Sequence, residues 1–289
     1  MDANPLNWQS KLILLLVLPV VGCGLVFETK DWLAGAPSVV FWTAALSASL
    51  GILTLALRAA TPLAALTGAV ITAQLMFATS GQPYHAWRTY MIPVLAVSLL
   101  AFAATRAGRS KKERLGLAEP RRGRSAAQVA ANLGAAALIS TGFFETWAVN
   151  SRWLPHSRTA LLAASLAAMA EAAADTVSSE IGQVFGGRPR MITTLRAVDP
   201  GTDGGITAAG SFIGIFAAAI VAALGAFAVH GDSRLLTVAL AGAVFGLFFD
   251  SLLGATLERK RWLNNDAVNF LSTISAAAFT LIAAALQLR

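Results

Sequence analysis

Residues 159–181 read TALLAASLAAMAEAAADTVSSEI. A spanning helix needs about 20 predominantly apolar residues. This stretch has that length, with Glu171, Asp175 and Glu180 as its ionisable side chains. Eight further apolar stretches surround it, at roughly 11–27, 38–57, 61–80, 89–105, 126–149, 206–229, 235–257 and 267–288. The reading is an all-α, polytopic transmembrane helix bundle of about nine spans. Composition agrees. Hydrophobic residues make up 56%, charged residues 13%, and the mean hydropathy is +0.64. A soluble globule carries about 25% charged residues, so a soluble enzyme is excluded. A disordered chain is excluded too, because it would be poor in apolar residues and rich in charge. The single cysteine, Cys23, rules out an internal disulfide framework and a cysteine zinc site. After Lys11 no small-residue cleavage site follows before Glu28, so 11–27 reads as a retained span.

The net charge of +7 is not a nucleic-acid signal, because most basic residues lie in short loops between apolar runs. With the 106–125 loop in the cytoplasm, sixteen of the 22 Lys and Arg residues fall on that side. They are Lys11, Arg58, the eight between Arg106 and Arg124, then Arg188, Arg190, Arg196, Arg259, Lys260 and Arg261. Lys30, Arg88, Arg152, Arg158, Arg234 and Arg289 fall on the other. Positive charge inside places the N-terminus in the cytoplasm and the C-terminus outside. By content the chain divides into a four-helix membrane region at 1–105, a basic cytoplasmic loop at 106–125 and a five-helix membrane region at 126–289. The last carries nearly all the unusual polar residues.

An ionisable residue at the centre of a span costs about 2.5–3.5 kcal/mol on insertion scales. It persists where it faces a cavity, a partner or a substrate. Glu171 and Asp175 are four apart and share a helix face, with Ser178, Ser179 and Glu180 a turn further on. Asp250, Gly254 and Glu258 repeat the spacing of four on the eighth span, and Asn265 and Asn269 on the ninth. The fifth span opens with Gln128 and Asn132. In the orientation above all of these lie at the cytoplasmic side. Lone packing acids would scatter over both sides.

Between the sixth and seventh spans the chain reads GGRPR at 186–190, TTLR at 193–196 and PGTDGGIT at 200–207. Glycines let backbone N–H groups turn toward an anion, and a helix begins directly afterwards. Arg188, Arg190 and Arg196 supply forked donors for phosphate oxygens. Gly201, Thr202, Asp203, Gly204 and Gly205 would form the turn itself. Carboxylates, arginines and a glycine turn on one side suit a magnesium–nucleotide site, since Mg2+ takes one or two carboxylates plus phosphate oxygens. Phosphoryl transfer needs positioning and charge neutralisation. An acceptor that is itself a phosphate is already anionic and needs no strong base. His85, His156 and His230 map to the opposite ends of their spans, which argues against a histidine metal site or a Ser-His-Asp triad. The basic run around Lys111 and Lys112 reads as a topology determinant near anionic lipid. Arg121, Arg122 and Arg124 are further candidates for phosphate binding.

At these residues the chain resembles a family of integral membrane proteins, the domain-of-unknown-function 92 family. Residues 175–182, DTVSSEIG, look like its Asp-Thr-x-(Ala/Ser)-Ser-Glu-x-Gly signature. Three more blocks agree in order: QVAAN at 128–132, PGTDGG at 200–205, and FDSLLGAT at 249–256 followed by NNDAVN at 264–269. Leu133 stands between Asn132 and Gly134, where the family pattern runs Asn-Gly. The family includes a phytyl-phosphate kinase. The resemblance therefore implies a membrane kinase that turns a prenyl monophosphate, of phytyl or geranylgeranyl type, into its diphosphate. A looser similarity to dolichol kinases and phosphatidate cytidylyltransferases points to CTP among nucleoside triphosphates. In this reading Asp175, Glu180 and Asp250 are catalytic and hold magnesium, with Glu171 assisting. Arg188, Arg190 and Arg196 grip phosphates, Gly201, Gly204 and Gly205 let the loop approach the nucleotide, and Asn132, Asn265 and Asn269 orient phosphate. The acceptor's apolar tail lies between helices in the bilayer. Two rivals remain at this stage. A transporter or flippase would use the acids as proton or cation sites, and a scaffold protein would lose nothing on Asp175→Asn.

Overall fold

The computed structural model describes residues 6–118, 123–150 and 158–287. Its helices are α1 (Asn7–Gly35), α2 (Pro37–Ala56), α3 (Pro62–Thr79), α4 (Met91–Arg106), α5 (Arg109–Leu115), α6 (Ala126–Ile139), α7 (Gly142–Asn150), α8 (Arg158–Phe185), α9 (Ala208–Ala228), α10 (Ser233–Leu253) and α11 (Asn265–Gln287). α10 runs on into a π-turn, Gly254–Glu258. Between α8 and α9 a short ribbon pairs β1 (Arg190–Met191) with β2 (Gly205–Ile206), antiparallel, Arg190 opposite Ile206. Among the described residues seven helices are long and apolar enough to cross a membrane alone. The count reaches nine when α4 with α5 and α6 with α7, bent by 61° and 51°, are each taken as one span.

The nine apolar stretches thus correspond one to one with helices or helix pairs. Two differences are physical. α1 extends to Gly35 instead of ending near 27, because Glu28 finds a partner inside the bundle: Gln74 Nε2 donates to Glu28 Oε1 at 2.8 Å. The fifth stretch bends where Ser140–Thr141 interrupts the helical ladder, and α4 is followed, after Ala107–Gly108, by the charged helix α5, RSKKERL, inside what reads as the basic loop.

α8 is the axis, packed by α4, α6, α9, α10 and α11. Its alanines permit this. Ala164, Ala167, Ala168, Ala170, Ala173 and Ala174 are fully buried. Neighbouring helices approach through glycine: a Cβ on Gly214 would meet Ala174 O at 2.7 Å, and one on Gly246 would meet Glu171 Cγ at 2.6 Å. In lipid, where tails are as apolar as leucine, such close backbone packing is what associates helices. Large side chains such as Leu15, Phe212 and Leu286 point outward. α1, α2 and α3 form a second group that joins the axis through α6.

The helix ends that carry the polar residues are held by caps. Ser125 and Gln128 make a reciprocal capping box at the start of α6, and Thr207 caps α9 through Gly210 N at 3.0 Å. Asn264 Oδ1 accepts from Ala267 N at 2.9 Å at the start of α11. The first turns of α1 tie to the same end: Gln9 Nε2 donates to Trp262 O at 2.8 Å, and Ser10 Oγ donates to Asp266 Oδ2 at 2.6 Å. Asn264 and Asp266 are therefore structural.

Candidate functional site

The C-terminal ends of α8 and α10, the N-terminal ends of α6 and α11, and the 201–207 turn enclose a cavity of about 280 Å³. Asp175, Glu180, Asp250, Asn132, Asn265, Asn269 and the whole stretch Gly201–Gly205 line it, as do Glu258, Arg124 and Ser179. Asp175 and Asp250 lie within hydrogen-bonding reach of each other, and Ser179 Oγ is 3.4 Å from Asp175 Oδ1. Asp250 Oδ2 is buried without a partner. Among the described residues no Lys or Arg makes an ion pair with Asp175, Asp250 or Glu171. A buried carboxylate oxygen with no donor is costly unless something else meets it.

Glu171 is one turn deeper on α8, fully buried behind Asp175 and not on the cavity wall. Ser272 of α11, fully buried, lies beside Glu171 and Asp250, its hydroxyl donating to Asn269 O at 2.9 Å. Glu180 has a partner of its own. Lys112 Nζ reaches Glu180 Oε2 at 2.5 Å and also donates to Ala104 O, and Thr105 Oγ1 donates to Glu180 Oε1 at 3.3 Å. Lys112 is 1% exposed. The basic run that reads as a surface determinant thus contains a buried ion-pair lysine, and α5 is pinned beneath the cavity by it.

The glycine turn is set by backbone contact. Gly204 adopts φ +74°, and a Cβ there would sit 2.4 Å from Ala255 N in the π-turn. Gly254 meets Gly204 N in return. The spacing of Asp250, Gly254 and Glu258 therefore serves two purposes: it presents carboxylates and provides the flat seat for the turn. Asp203, on that turn, has its carboxyl pushed above the ordinary range by burial and drawn back by Arg259.

Arg188, Arg190 and Arg196 do not reach the cavity. All three are exposed, and Arg190 Nη1 is bound to Leu195 O at 2.8 Å. None of the three lines the cavity, and the cation on its wall is Arg124. Its guanidinium is 3.5 Å from Thr176 Oγ1. Arg121, Arg122 and His156 lie outside the described residues. His85 and His230 sit at the other end, near the 86–88 turn and the end of α9. Sequence reasoning missed Lys112, Ser272 and Glu28; only Glu28 left a signal, a charge at the margin of an apolar run.

Among the described residues no three His, Cys, Asp or Glu side chains converge into a metal cage. One or two carboxylates with an unpartnered oxygen still fit a hard cation completed by phosphate and water oxygens.

Membrane-crossing helices that close a carboxylate-lined cavity at one end define a multi-pass integral membrane protein. Residues 45–277 match the family described as integral membrane protein DUF92, and the chain belongs to that family. It is 40% identical over 109 residues to an uncharacterised membrane protein of Methanocaldococcus jannaschii, covering 38% of this chain and 45% of that one. It is 31% identical over 207 residues to an uncharacterised membrane protein of Synechocystis, covering 68% and 73%. To the chloroplastic protein VTE6 of Arabidopsis thaliana it is 28% identical over 193 residues, covering 64% and 57%. The matched part thus spans less than two thirds of the archaeal and plant relatives. No solved structure matches.

Proposed function

We propose that the chain is a membrane-embedded kinase that phosphorylates a prenyl monophosphate, of phytyl or geranylgeranyl type, to the diphosphate with CTP or another nucleoside triphosphate. The observation that carries this reading is the meeting of Asp175 and Asp250, one with a buried unpartnered oxygen, opposite the Gly201–Gly205 turn. The resemblance of DTVSSEIG to the signature of a family that includes a phytyl-phosphate kinase supports the substrate class.

An oxygen of the acceptor phosphate attacks the γ-phosphorus. The bond from that phosphorus to the bridging oxygen breaks, and the nucleoside diphosphate leaves with the electron pair. The acceptor is already an anion, so no histidine base is required. Asp175 and Asp250 would hold magnesium, which when bound neutralises phosphate charge. Glu180, clamped by Lys112, and Glu171, behind Asp175, keep the pair in place. Of the turn's backbone N–H groups, those of Thr202 and Gly205 are bonded to Asp199 O and Thr202 O within it, and the others would face the nucleotide phosphates. Asn132, Asn265 and Asn269 orient phosphate oxygens, and exposed Arg188, Arg190 and Arg196 draw the nucleotide from solution. The excess of basic loops at this end supports a cytoplasmic site.

Purified protein given geranylgeranyl or phytyl phosphate, CTP and Mg2+ is expected to form the prenyl diphosphate, read by chromatography. No diphosphate across a panel of nucleotides and prenyl phosphates would overturn the proposal.

A further inference from the structure

A second cavity, of about 550 Å³, opens between the C-terminal halves of α2 and α4 and the N-terminal halves of α3 and α6. Its wall is apolar and small, with Gly51, Ala65, Gly68 and Ala69 along one side. Its mouth is lined by Arg58, Arg106, Arg109 and Arg124, and no Asp or Glu lines any part of it. Arg124 and Asn132 also line the carboxylate cavity, so the two spaces share a wall.

Arg124 is fixed there by its backbone. Its N–H donates to Ala59 O at 2.9 Å, and its carbonyl accepts from Thr61 N at 3.0 Å. The strap depends on Gly123, at φ +79°, where a Cβ would sit 2.4 Å from Ala59 C. A strap that places one guanidinium between an apolar groove and an acidic cavity suits a molecule with an apolar tail and an anionic head.

Building on the kinase reading, we infer that this groove binds the acceptor: the prenyl chain lies along α3 between α2 and α4, and its phosphate sits under Arg124 at the junction. Charge complementarity selects the occupant. Arg109 is paired with Glu113 at 3.1 Å, and the other three arginines, Arg58, Arg106 and Arg124, favour a doubly charged phosphate monoester, which Arg binds with forked geometry. From Val94 to Arg106 the groove follows α4 for roughly 18 Å, at about 1.5 Å per residue. Its volume falls within the roughly 300–1,000 Å³ of pockets that bury most of a small ligand. Ala69 lies about 7.5 Å along α3 from Ala64 at the mouth end. A farnesyl chain is longer than that distance, so a larger side chain at 69 shortens the space open to either tail.

The test is equilibrium binding of geranylgeranyl and farnesyl monophosphate to the full chain in detergent, beside CTP–Mg2+ binding to the same samples. Ala69→Phe is expected to weaken geranylgeranyl and farnesyl phosphate alike, each about tenfold, in line with loss of buried tail area. Arg124→Gln is expected to weaken both about tenfold, the loss of one charged hydrogen-bonding group, while geranylgeraniol without phosphate is unaffected. Leu66→Phe, on the outer face of α3, is expected to change none of these. If wild type binds geranylgeranyl phosphate and neither Ala69→Phe nor Arg124→Gln alters it, the groove is overturned as acceptor site and the kinase reading stands. If wild type binds CTP–Mg2+ but no prenyl phosphate, the acceptor class and the groove fail together.

Discussion

At the scale of single residues, the pairing of Asp175 with Asp250 separates function from stability. Two neighbouring carboxylates without a cation partner repel each other. Asp250→Asn should therefore leave the melting temperature unchanged or higher, while turnover falls about a hundredfold or more, as expected when a transition-state charge loses its stabiliser. Circular dichroism melts beside initial rates check both halves. Lys112 behaves in the opposite way. Lys112→Met strands Glu180 in a buried position and should destabilise by about 3 kcal/mol or more, whereas Lys112→Met with Glu180→Gln should recover most of the loss. A double-mutant cycle of thermal shifts measures it. The sequence reveals the acids well, because a carboxylate inside an apolar run stands out. It hides Lys112, because a lysine in a basic run looks like its neighbours and only the folding of α5 under α8 buries it. It also misdirects on Arg188, Arg190 and Arg196: the two-residue strand that begins at Arg190, and the turns on either side of it that carry Arg188 and Arg196, leave all three exposed, which composition does not encode.

At the scale of elements, the seat of the glycine turn on the π-turn is the contact most open to test. Gly204→Ala forces a side chain into the left-handed region and into Ala255, a strain of about 1–3 kcal/mol. The expected reading is a rise of about tenfold in KM for the nucleotide, with prenyl phosphate binding intact. Steady-state kinetics with each substrate varied in turn decides it. The spans themselves were legible because periodic apolar length is a strong signal. The bend after α6 was not, because hydropathy averages over a window longer than the interruption, and α5 was hidden because RSKKERL has the composition of a loop. The extension of α1 past Glu28 was likewise hidden, since its partner Gln74 is 46 positions away and comes close only through packing of α1 on α3.

At the scale of the whole molecule, the sixteen-to-six bias of basic residues predicts the compartment of the carboxylate cavity. With Cys23 replaced by alanine, a cysteine placed at exposed Asn265 should react with an impermeant maleimide only in inside-out vesicles. A cysteine at exposed Ser233, the first residue of α10 at the far end, should react only in right-side-out ones. Equal labelling of both would refute the orientation. The wall common to the two cavities carries a kinetic corollary. If one reactant enters sideways from the bilayer and the other from water, neither blocks the other's door, and both must be present together before anything leaves. Double-reciprocal plots should then intersect rather than run parallel, and a short-chain phosphate occupying the groove should act noncompetitively toward the nucleotide.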